Sequence, residues 1–317
     1  MKTEPLVSVL LPVYNAGEYL RPSVQSIISQ TYSNLEILII NDGSTDGCID
    51  SIADLNDSRI RVITQKNAGK SAVLNHALQE LSGTFYAIQD ADDISYPHRI
   101  ERQVQCMLEN PELAAVFTSY DIILDERRLA PRFTGKDIEE CRRDIEQMRM
   151  PAADATGMFR MAMVGKIRYE PTLKVGQGYD HILRVGEHYS MMVLGECLYS
   201  VRYNYDSTTR RDWPLRRKKV KEVLKRAYQR RGLDMSEHFS SKPSSTAKFL
   251  YREQEHGIVP HFMESVLDLR CAGRNWQALK TALICLSLHP LDPHYYKPLA
   301  YFLAPVSLIK YYRSQKA

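Results

Sequence analysis

The sequence predicts an α/β fold in which a mostly parallel β-sheet is flanked by helices. Short apolar runs rich in β-branched residues alternate with segments of helical periodicity between residues 6 and 88. A loop of unusual polar residues follows each of these apolar runs. Such alternation implies parallel strands joined by right-handed crossovers, with helices on both faces. The polar loops should then meet at one edge of the sheet, where open α/β sheets bind their ligands.

The individual elements follow from the same patterns. Strands are expected at 6–12, 35–40, 60–63 and 84–88, with the first and the last of them buried. Helices are expected between them at 18–30, 48–56 and 71–81. Later in the chain, the patterns predict helices at 97–110, 249–269 and 276–288, one or two strands at 113–124, and a pair of shorter strands at 191–205.

Composition disfavours several classes of protein. The 317 residues are 44% hydrophobic and 25% charged, which fits one large globular domain or one domain with an appendage. Six scattered cysteines without a C-x-x-C pair argue for reduced thiols and against a zinc site or a disulfide framework. No run of 18 apolar residues and no charged-then-apolar signal region occurs, so we expect a cytoplasmic protein.

Three carboxylates lie within four residues at Asp90, Asp92 and Asp93, just after the fourth predicted strand. They repel one another unless a cation lies among them or they point apart. Hard oxygen ligands of this kind suit Mg²⁺ or Mn²⁺, which commonly link a few carboxylates to substrate phosphates. The alternative is an acidic turn that caps the helix after Tyr96 and Pro97.

The other polar loops carry side chains that suit a nucleotide. Asp42, at the end of an isoleucine-rich strand, can accept hydrogen bonds from a base or a ribose. Lys70, at a predicted helix start, can meet a phosphate together with the free N–H groups there. Gly43 and Gly69 would let the backbone approach a ligand closely. The alternatives are an Asx turn at Asp42 and a plain loop at 67–69.

Fingerprints of other enzymes are missing from the sequence. No G-x-G-x-x-G follows the first strand, and neither G-x-x-x-x-G-K-[ST] nor G-x-S-x-G occurs. Dinucleotide oxidoreductases, P-loop enzymes and α/β-hydrolases are therefore disfavoured. A nucleotidyltransferase would share the sheet and the metal, but the glycine-rich loop with Arg and Lys that usually opens such enzymes is not found.

Four segments occur in succession along the first part of the chain: VSVLLPVYN at 7–15, NDGSTD at 41–46, NAGKSAVLN at 67–75 and DADD at 90–93. They resemble the successive motifs of family 2 glycosyltransferases with the GT-A fold. The resemblance is specific across residues 5–107 and looser to about residue 210. It implies a transferase that uses a nucleotide-diphosphate sugar and a divalent metal, and that inverts the configuration at the anomeric carbon.

The resemblance also implies roles for individual residues. The nucleotide would be held by Pro12, Tyr14, Glu18, Asp42, Asn67, Lys70 and Asp90. Asp92 would be the direct ligand of the metal, Mn²⁺ or Mg²⁺, and Asp90 would also serve the diphosphate. The resemblance favours a UDP-sugar as donor, a saccharide or lipid-linked acceptor, and a setting in bacterial cell-surface polysaccharide synthesis.

The segment 169–184 resembles the part of the family pattern that carries the catalytic base. An acceptor hydroxyl is a poor nucleophile until its proton is removed, and a positioned carboxylate contributes about 10²–10⁴-fold. The family pattern reads Glu-Asp-Tyr-Asp or Gln-Asp-Tyr-Asp, with the first Asp as the base. Here it reads Gln177-Gly178-Tyr179-Asp180, so Gly178, which has no side chain, stands at the base position.

Three interpretations of Gly178 are open. Asp180, two residues on, could serve as the base after a local shift, and we take it as the candidate. The chain could instead be a catalytically impaired module that binds a nucleotide-sugar without turnover. The base could also come from Glu170, from His181 or from the substrate. If a base is missing, Gly178→Asp should raise the rate of transfer.

The sequence divides into a transferase-like domain at 1–210 and a helical, partly basic extension at 211–317. The first comprises a nucleotide-sugar half at 5–107 and an acceptor half at 108–210. Within the acceptor half, the highly charged segment 135–149 predicts a solvated helix or a mobile loop.

Two adjacent arginines lie where the family places a loop that closes over the donor diphosphate. Arg210 or Arg211 could bind this diphosphate, because guanidinium groups match phosphate oxygens. As an exposed pair, they could equally be solvated without a ligand.

The stretch from Arg202 to Arg231 holds twelve basic and three acidic residues. Val220, Leu224 and Ala227 give the same stretch an apolar side at helical spacing. A basic amphipathic helix can lie on an anionic membrane surface, which would place the protein peripherally at the inner face of the plasma membrane. The alternative is a solvated helix packed on the catalytic domain. No recognition motif accompanies the charge, so nucleic acid is not expected as a partner.

Overall fold

The computed structural model describes residues 4–124, 127–132, 135–203, 213–233 and 258–308. The chain forms two compact units. The first comprises Met1–Tyr120 and Phe133–Lys242, and the second comprises Asp121–Arg132 and Pro243–Ala317. This division differs from the boundary expected at residue 210, which stays a prediction. The basic segment that follows it belongs to the first unit, and a short stretch of the expected acceptor half belongs to the second.

Four parallel strands form one half of the sheet in the first unit. They are β1 (Val7–Val13), β2 (Leu35–Asn41), β3 (Ile60–Thr64) and β4 (Phe85–Ile88), in the order β3-β2-β1-β4. Val7 lies beside Leu35 on one side and beside Phe85 on the other. The four predicted strands and their parallel arrangement are confirmed, so their carboxyl ends share one edge of the sheet.

Antiparallel pairing extends this sheet beyond β4. The short strand β8 (Met158–Arg160) pairs antiparallel with β4 and with β6 (Leu113–Leu124). The sheet order then continues through β9 (Ser190–Arg202) to β5 (Ile94–Ser95). The predicted α/β class is confirmed, and β9 is one long strand where two shorter strands were expected.

In the described part of the first unit, the helices are α1 (Leu20–Ile28), α2 (Lys70–Glu80), α3 (Arg99–Glu109), α4 (Ile138–Glu146), α5 (Met161–Val164), α6 (Gln177–Gly186) and α7 (Trp213–Arg230). The helices predicted at 18–30 and 97–110 are shorter than expected, whereas the helix predicted at 71–81 keeps its length. The helix expected at 48–56 is wrong, because only a 3₁₀ turn forms there, at Asp50–Ile52. Its hydrogen bonds span three residues, as from Ala53 N to Asp50 O at 3.2 Å, and Gly47 turns the chain just before it with φ of 75°.

The strands β1, β2 and β4 are buried on both faces, as expected when helices cover a parallel sheet, whereas the edge strand β3 is partly exposed. Leu10 and Leu11 alternate along β1, and both are fully buried. On one face, Val24 of α1 and Met107 of α3 pack into the same apolar cluster as Leu11. This packing holds the strands in place, and with them the loops at their carboxyl ends.

Helix α4 occupies the charged segment 135–149. Asp137 caps it, since its carboxylate accepts a hydrogen bond from Glu140 N at 2.7 Å while the Glu140 carboxylate accepts one from Asp137 N. The inner face of α4 buries Cys141 and Ile145. The segment is thus a packed helix with a charged outer face.

The apolar side of the basic helix α7 is buried within the first unit. Val220, Val223 and Ala227 are all 5% exposed or less. On the other side, Arg226 pairs with Glu170 at 2.9 Å and Arg230 pairs with Glu187 at 2.9 Å. The expectation that α7 rests its apolar side on a membrane is therefore wrong, because the protein itself covers that side.

The second unit contains strand β7 (Arg127–Arg132) and three described helices. These are α8 (Val259–Cys271), α9 (Asn275–Leu288) and α10 (Lys297–Leu303). Val266 of α8 and Ala282 of α9 form a small core of their own. The predicted C-terminal helices are present. None of the helices described in the chain is long and apolar enough to cross a membrane.

Candidate active site

Backbone hydrogen bonds hold the loops after the first three strands side by side. Asp42 N, just past β2, donates to Val13 O at the end of β1 at 2.8 Å. Gln65 N, just past β3, donates to Asn41 O at 2.9 Å. The polar residues that follow these strands are therefore brought to one edge of the sheet, as the alternating pattern predicts.

The loops after β1 and β2 are joined to each other. Asn15 N donates to Ser44 Oγ at 3.0 Å, and Asn15 Oδ1 accepts from Thr45 N at 2.8 Å. Asn15 has a positive φ of 50°, a conformation that asparagine tolerates better than most residues. Tyr14, next to it, is 56% exposed, so its ring is accessible to a ligand.

Two more predicted nucleotide residues belong to this first loop region. Pro12 is half-buried within β1, beside Ile40 of β2. Glu18 is exposed in the 3₁₀ turn Gly17–Tyr19 that precedes α1. Pro12 thus shapes the strand end, whereas Glu18 presents its carboxylate to solvent.

Asp42 is buried and already fully engaged by the loop after β3. Its Oδ1 accepts hydrogen bonds from Gln65 Nε2 at 2.8 Å and Ala68 N at 2.9 Å, and its Oδ2 accepts one from Gly69 N at 2.8 Å. Asn67, within this loop, is exposed. Asp42 therefore positions the loop that leads into α2, a role that neither the nucleotide interpretation nor the Asx-turn alternative anticipated.

Lys70, at the start of α2, forms an ion pair with the acidic loop after β4. Its Nζ lies 2.6 Å from Asp90 Oδ1. Burial alone would lower the pKa of Lys70, but the carboxylates of Asp90, Asp154 and Asp92 outweigh it and raise the pKa above its ordinary value. The lysine is therefore firmly charged, and it is the cation that the acidic cluster requires.

The three carboxylates of the acidic loop do not point the same way. Asp93 is buried, and its Oδ1 accepts a hydrogen bond from Arg202 N at 2.8 Å. Burial, followed by the charges of Asp92 and Asp90, holds the pKa of Asp93 well above its usual range. Burial and the Asp90 charge also raise the pKa of Asp92, which stays partly exposed. Asp90 and Asp92 are thus the carboxylates left to meet a ligand.

Arg99, the first residue of α3, anchors the acidic loop from inside the protein. It is fully buried, and its Nη1 donates to Gln89 Oε1 at 3.1 Å while its Nη2 donates to Ile88 O at 2.9 Å. Burial lowers the pKa of Arg99 to about 10, so it stays protonated at neutral pH. The sequence offers no signal for this role, because Arg99 reads as one charged residue on an amphipathic helix.

The same guanidinium also holds a turn that comes from the acceptor half. Arg99 Nη2 donates to Ala155 O at 2.9 Å, and Gln103 Nε2 donates to Thr156 O at 2.9 Å. Both acceptors belong to the 3₁₀ turn Asp154–Thr156. The turn that carries Asp154 and the strand that delivers Asp90 are therefore fixed to one buried cation.

The carboxylate of Asp154 lies against Gly178 at the start of α6. A Cβ atom added to Gly178 would lie 2.0 Å from Asp154 Oδ2 and 2.3 Å from Asp154 Cγ. Burial raises the pKa of Asp154; the charge of Lys70 opposes this shift and that of Asp90 adds to it. Sequence reasoning missed Asp154, although a glycine at the expected base position was a signal that another group fills the space.

The placement of Asp180 contradicts its assignment as the base. Asp180 is 2% exposed, and its Oδ2 accepts a hydrogen bond from Arg184 Nε at 2.8 Å. Its Oδ1 lies 3.5 Å from Arg230 Nη1 of α7. Two residues on a helix are about 200° apart around its axis, so Asp180 faces away from the side on which position 178 meets Asp154. Asp180 joins α6 to α7.

The two other candidate bases are also engaged elsewhere. His181 is buried, stacks on Tyr169 with ring centroids 4.1 Å apart, and makes a hydrogen bond to Ile167 O at 3.1 Å. Burial lowers the pKa of His181 to about 3, so the ring is neutral and part of the core. Glu170 pairs with Arg226 at 2.9 Å. Neither side chain is placed to activate an acceptor.

A family model described as "Glycosyl transferase family 2" matches residues 8–166, half of the chain. The chain belongs to glycosyl transferase family 2. Its sequence is 42% identical over 129 residues to an uncharacterized glycosyltransferase of Haemophilus influenzae, covering 40% of each chain. It is 37% identical over 119 residues to the Escherichia coli "UDP-Glc:alpha-D-GlcNAc-diphosphoundecaprenol beta-1,3-glucosyltransferase WfgD", covering 37% of this chain and 47% of that one. The matches thus span less than half the length of these curated relatives.

Solved structures support the GT-A fold. The chain resembles the mannosyltransferase PcManGT from Pyrobaculum calidifontis, solved with GDP-Man and Mn²⁺, with a TM-score of 0.57 and 16% identity over 98% of this chain and 87% of that one. It also resembles S. aureus TarS 1-349 in complex with UDP, with a TM-score of 0.54 and 15% identity over 92% of this chain and 89% of that one. At such identities the likeness shows the fold alone.

The chemistry of the acidic loop fits a divalent metal. In the described part of the chain, no three His, Cys, Asp or Glu side chains are grouped closely enough to hold a metal by themselves. Mg²⁺ and Mn²⁺ do not need such a group when one or two carboxylates act together with substrate phosphates. Asp92 fits that requirement, because it is partly exposed and no described cation forms an ion pair with it.

The predicted diphosphate residues Arg210 and Arg211 lie outside the described residues. The nearest described arginine before them, Arg202, contacts the acidic loop instead. Its Nε donates to Asp92 O at 3.0 Å, and its guanidinium lies over the Tyr19 ring at 4.4 Å. Arg202 therefore fixes the backbone of the loop that carries Asp92.

The structure reverses the expected effect of Gly178→Asp. The new side chain would enter the space of the Asp154 carboxylate and place two like charges together, so we expect a lower melting temperature and a transfer rate no higher than that of the wild type. Gly195→Asp is a matched control, because a Cβ there meets nothing closer than 3.9 Å. A Gly178→Asp variant as stable as the control, with faster transfer, would contradict this expectation.

Proposed function

We propose that this protein transfers a sugar from a nucleotide-diphosphate sugar to a hydroxyl group of an acceptor, with inversion and with a divalent metal. The observation that carries the proposal is the Lys70–Asp90 ion pair, at 2.6 Å, on the edge where four strand ends meet. It joins a firmly charged cation to an acidic loop. A departing diphosphate needs both a positive charge and a metal-binding carboxylate beside it.

The arrangement of the loops supports a binding mode for the donor. The exposed side chains of Tyr14, Glu18 and Asn67 line the loops that would receive the nucleoside. Lys70 and the free N–H groups at the start of α2 would meet the diphosphate. Asp42 would act through the 65–69 loop, whose backbone it holds, and Asp90 would orient Lys70.

Asp92 would hold the metal, Mn²⁺ or Mg²⁺, together with oxygens of the diphosphate. When bound, the metal neutralises negative charge on the departing diphosphate. Arg202 would keep Asp92 in place through the backbone carbonyl that it binds at 3.0 Å.

Relatives support a UDP-sugar as the donor. The E. coli relative is named for UDP-Glc, and TarS was solved with UDP and with UDP-GlcNAc. The name of the E. coli relative also specifies a diphosphoundecaprenol-linked saccharide, which supports a lipid-linked saccharide acceptor here. We accordingly place the reaction in cell-surface polysaccharide synthesis at the inner face of the plasma membrane.

One observation favours a second candidate, a nucleotide-sugar binding module without turnover. Gly178 lacks the side chain of the expected base. The two candidates differ in a simple readout, because both bind UDP but only the transferase consumes the donor.

A thermal-shift panel of UDP and GDP with and without Mn²⁺, followed by a donor-hydrolysis assay, tests the proposal. We expect UDP with Mn²⁺ to raise the melting temperature, since ligand at 100 times its Kd stabilises a fold by about 2.7 kcal/mol. Release of UDP from a UDP-sugar should follow. Stabilisation by UDP without any donor turnover would favour the binding module, and no effect of any nucleotide would refute both candidates.

Asp92→Asn should remove the Mn²⁺-dependent part of this stabilisation, because an amide is a weaker ligand for a hard cation than a carboxylate. Asp137→Asn makes the same chemical change at the exposed N-cap of α4, where asparagine caps as well as aspartate, and it should behave as the wild type. Mn²⁺-dependent UDP binding that survives in Asp92→Asn would exclude Asp92 as the metal ligand.

A further inference from the structure

The turn Asp154–Thr156 and the first turn of α6 interlock. The Asp154 carboxylate occupies the volume into which any side chain at position 178 would project, with Oδ2 only 2.0 Å and the Asp154 Cβ 2.8 Å from an added Cβ. Gly178 is thus the residue that admits Asp154. A carboxylate on the turn takes the place that a carboxylate on the helix would otherwise fill.

The carboxylate of Asp154 is less engaged than its neighbours. Asp42 accepts three hydrogen bonds from one loop, Asp93 accepts one from Arg202 N, and Asp180 pairs with Arg184. Within the described ranges, no side chain forms a hydrogen bond or a close ion pair with the Asp154 carboxylate. Its oxygens can therefore accept a proton from a ligand.

The turn that carries Asp154 is held beside the end of β4, the strand that leads to Asp90, because Arg99 Nη2 donates to Ile88 O and to Ala155 O, each at 2.9 Å. The charges of Lys70 and Asp90, the ion pair that we expect to meet the diphosphate, also act on Asp154. Arg99 fixes Ala155 O at 2.9 Å, and Thr156 Oγ1 donates to Ala153 O at 2.7 Å. A general base must be positioned in this way to act on a bound hydroxyl.

We propose that Asp154 is the general base of the transfer reaction, supplied from the turn before β8, and that Gly178 makes room for it. In the reaction, the acceptor oxygen bonds to the anomeric carbon and its proton passes to a carboxylate oxygen of Asp154. The bond from the anomeric carbon to the diphosphate oxygen breaks, and its electron pair leaves with the nucleoside diphosphate. This inference rests on the proposed transferase function, and it removes the reason to regard the chain as inactive.

Asp154→Asn tests the role directly, since the amide keeps the shape and loses the basic oxygen. We expect kcat to fall about 10²–10⁴-fold, with the UDP-induced thermal shift and the donor KM within about threefold of the wild type. Asp137→Asn is the matched control and should keep its rate. An Asp154→Asn variant that retains kcat, or that loses UDP binding in parallel with kcat, would overturn the base assignment.

Exchanging the residues at positions 154 and 178 distinguishes a catalytic role of Asp154 from a purely structural one. Asp154→Gly alone should lose transfer, and Asp154→Gly combined with Gly178→Asp should recover at least tenfold, because the carboxylate then enters the same space from α6. Gly178→Asp in the presence of Asp154 should not gain rate. Recovery supports the proposal even if Asp154→Asn is unstable, and a folded double variant without recovery overturns it.

An assay of the wild type distinguishes a failure of the transferase function from a failure of the base assignment. If the wild type binds no nucleotide and consumes no donor, the transferase function itself fails and the base assignment fails with it. If the wild type turns over a donor and Asp154→Asn does so equally well, only the base assignment fails.

Discussion

Lys70→Met should lower the rate of sugar transfer about 100-fold and weaken UDP binding, because it removes the cation that pairs with Asp90 of the acidic loop. Lys70 Nζ lies 2.6 Å from Asp90 Oδ1, and the charges of Asp154 and Asp92 also act on it. Without the lysine, these carboxylates repel one another and the anionic donor, so both binding and turnover should suffer. Donor-dependent UDP release and the UDP thermal shift measure the two effects separately.

Lys66→Met is the control for this change. Lys66 is exposed in the same loop, four residues before Lys70 in the sequence. We expect UDP binding and turnover to stay within about threefold of the wild type, because an exposed charge is screened by water and salt. Equal losses in Lys66→Met and Lys70→Met would show a general effect of positive charge near the loop, and the specific role of Lys70 would be refuted.

Arg99→Met should reduce the free energy of unfolding by about 3–5 kcal/mol, the cost typical of removing one partner from a buried charged network. The change leaves Ile88 O and Ala155 O without their 2.9 Å hydrogen bonds, and it leaves the Gln89 amide with fewer partners. Unfolding in urea, followed by circular dichroism, measures the loss. We expect transfer to decline more than UDP binding, because the turn that carries Asp154 loses its anchor.

Arg102→Met is the matched control on the same helix. Arg102 pairs with Glu196 at 2.8 Å, but both side chains are more than 40% exposed. Exposed pairs contribute about 0–1 kcal/mol, so this variant should unfold close to the wild type. If Arg99→Met were no less stable than Arg102→Met, the buried guanidinium would not be the anchor of the two loops.

The parallel half of the sheet could be predicted from local pattern alone. Strands β1, β2 and β4 are largely apolar runs typical of buried strands, and each strand from β1 to β4 is followed by residues that prefer loops. The carboxyl ends of parallel strands must share an edge, so topology alone predicted that Lys70 and Asp90 would lie at the same edge, whereas their ion pair was seen only in the structure. The prediction of a helix at 48–56 was wrong. Gly47 turns the chain with a positive φ, and the weak apolar periodicity that follows supports only a short 3₁₀ turn.

Helix α7 shows that an amphipathic pattern does not identify what covers the apolar side of a helix. A membrane, a second protein or the chain's own core can each bury such a side. Only packing reveals that Val223 and Ala227 face the first unit. Likewise, the sequence placed Asp180 in a motif next to the expected base position. Because a helix turns about 100° per residue, Asp180 lies on the side of α6 opposite to position 178.

By itself, the sequence determined the α/β class, the common edge for the polar loops and the acidic cluster that needs a cation, because these depend on residue type and short-range periodicity. Only the tertiary structure decided that Asp154 fills the space beside Gly178 and that Arg99, 56 positions before Ala155, holds the turn in place. The physical reason is that a side chain's role depends on which distant segment packs against it. A motif records position along the chain, whereas a proton is transferred between atoms that are neighbours in space.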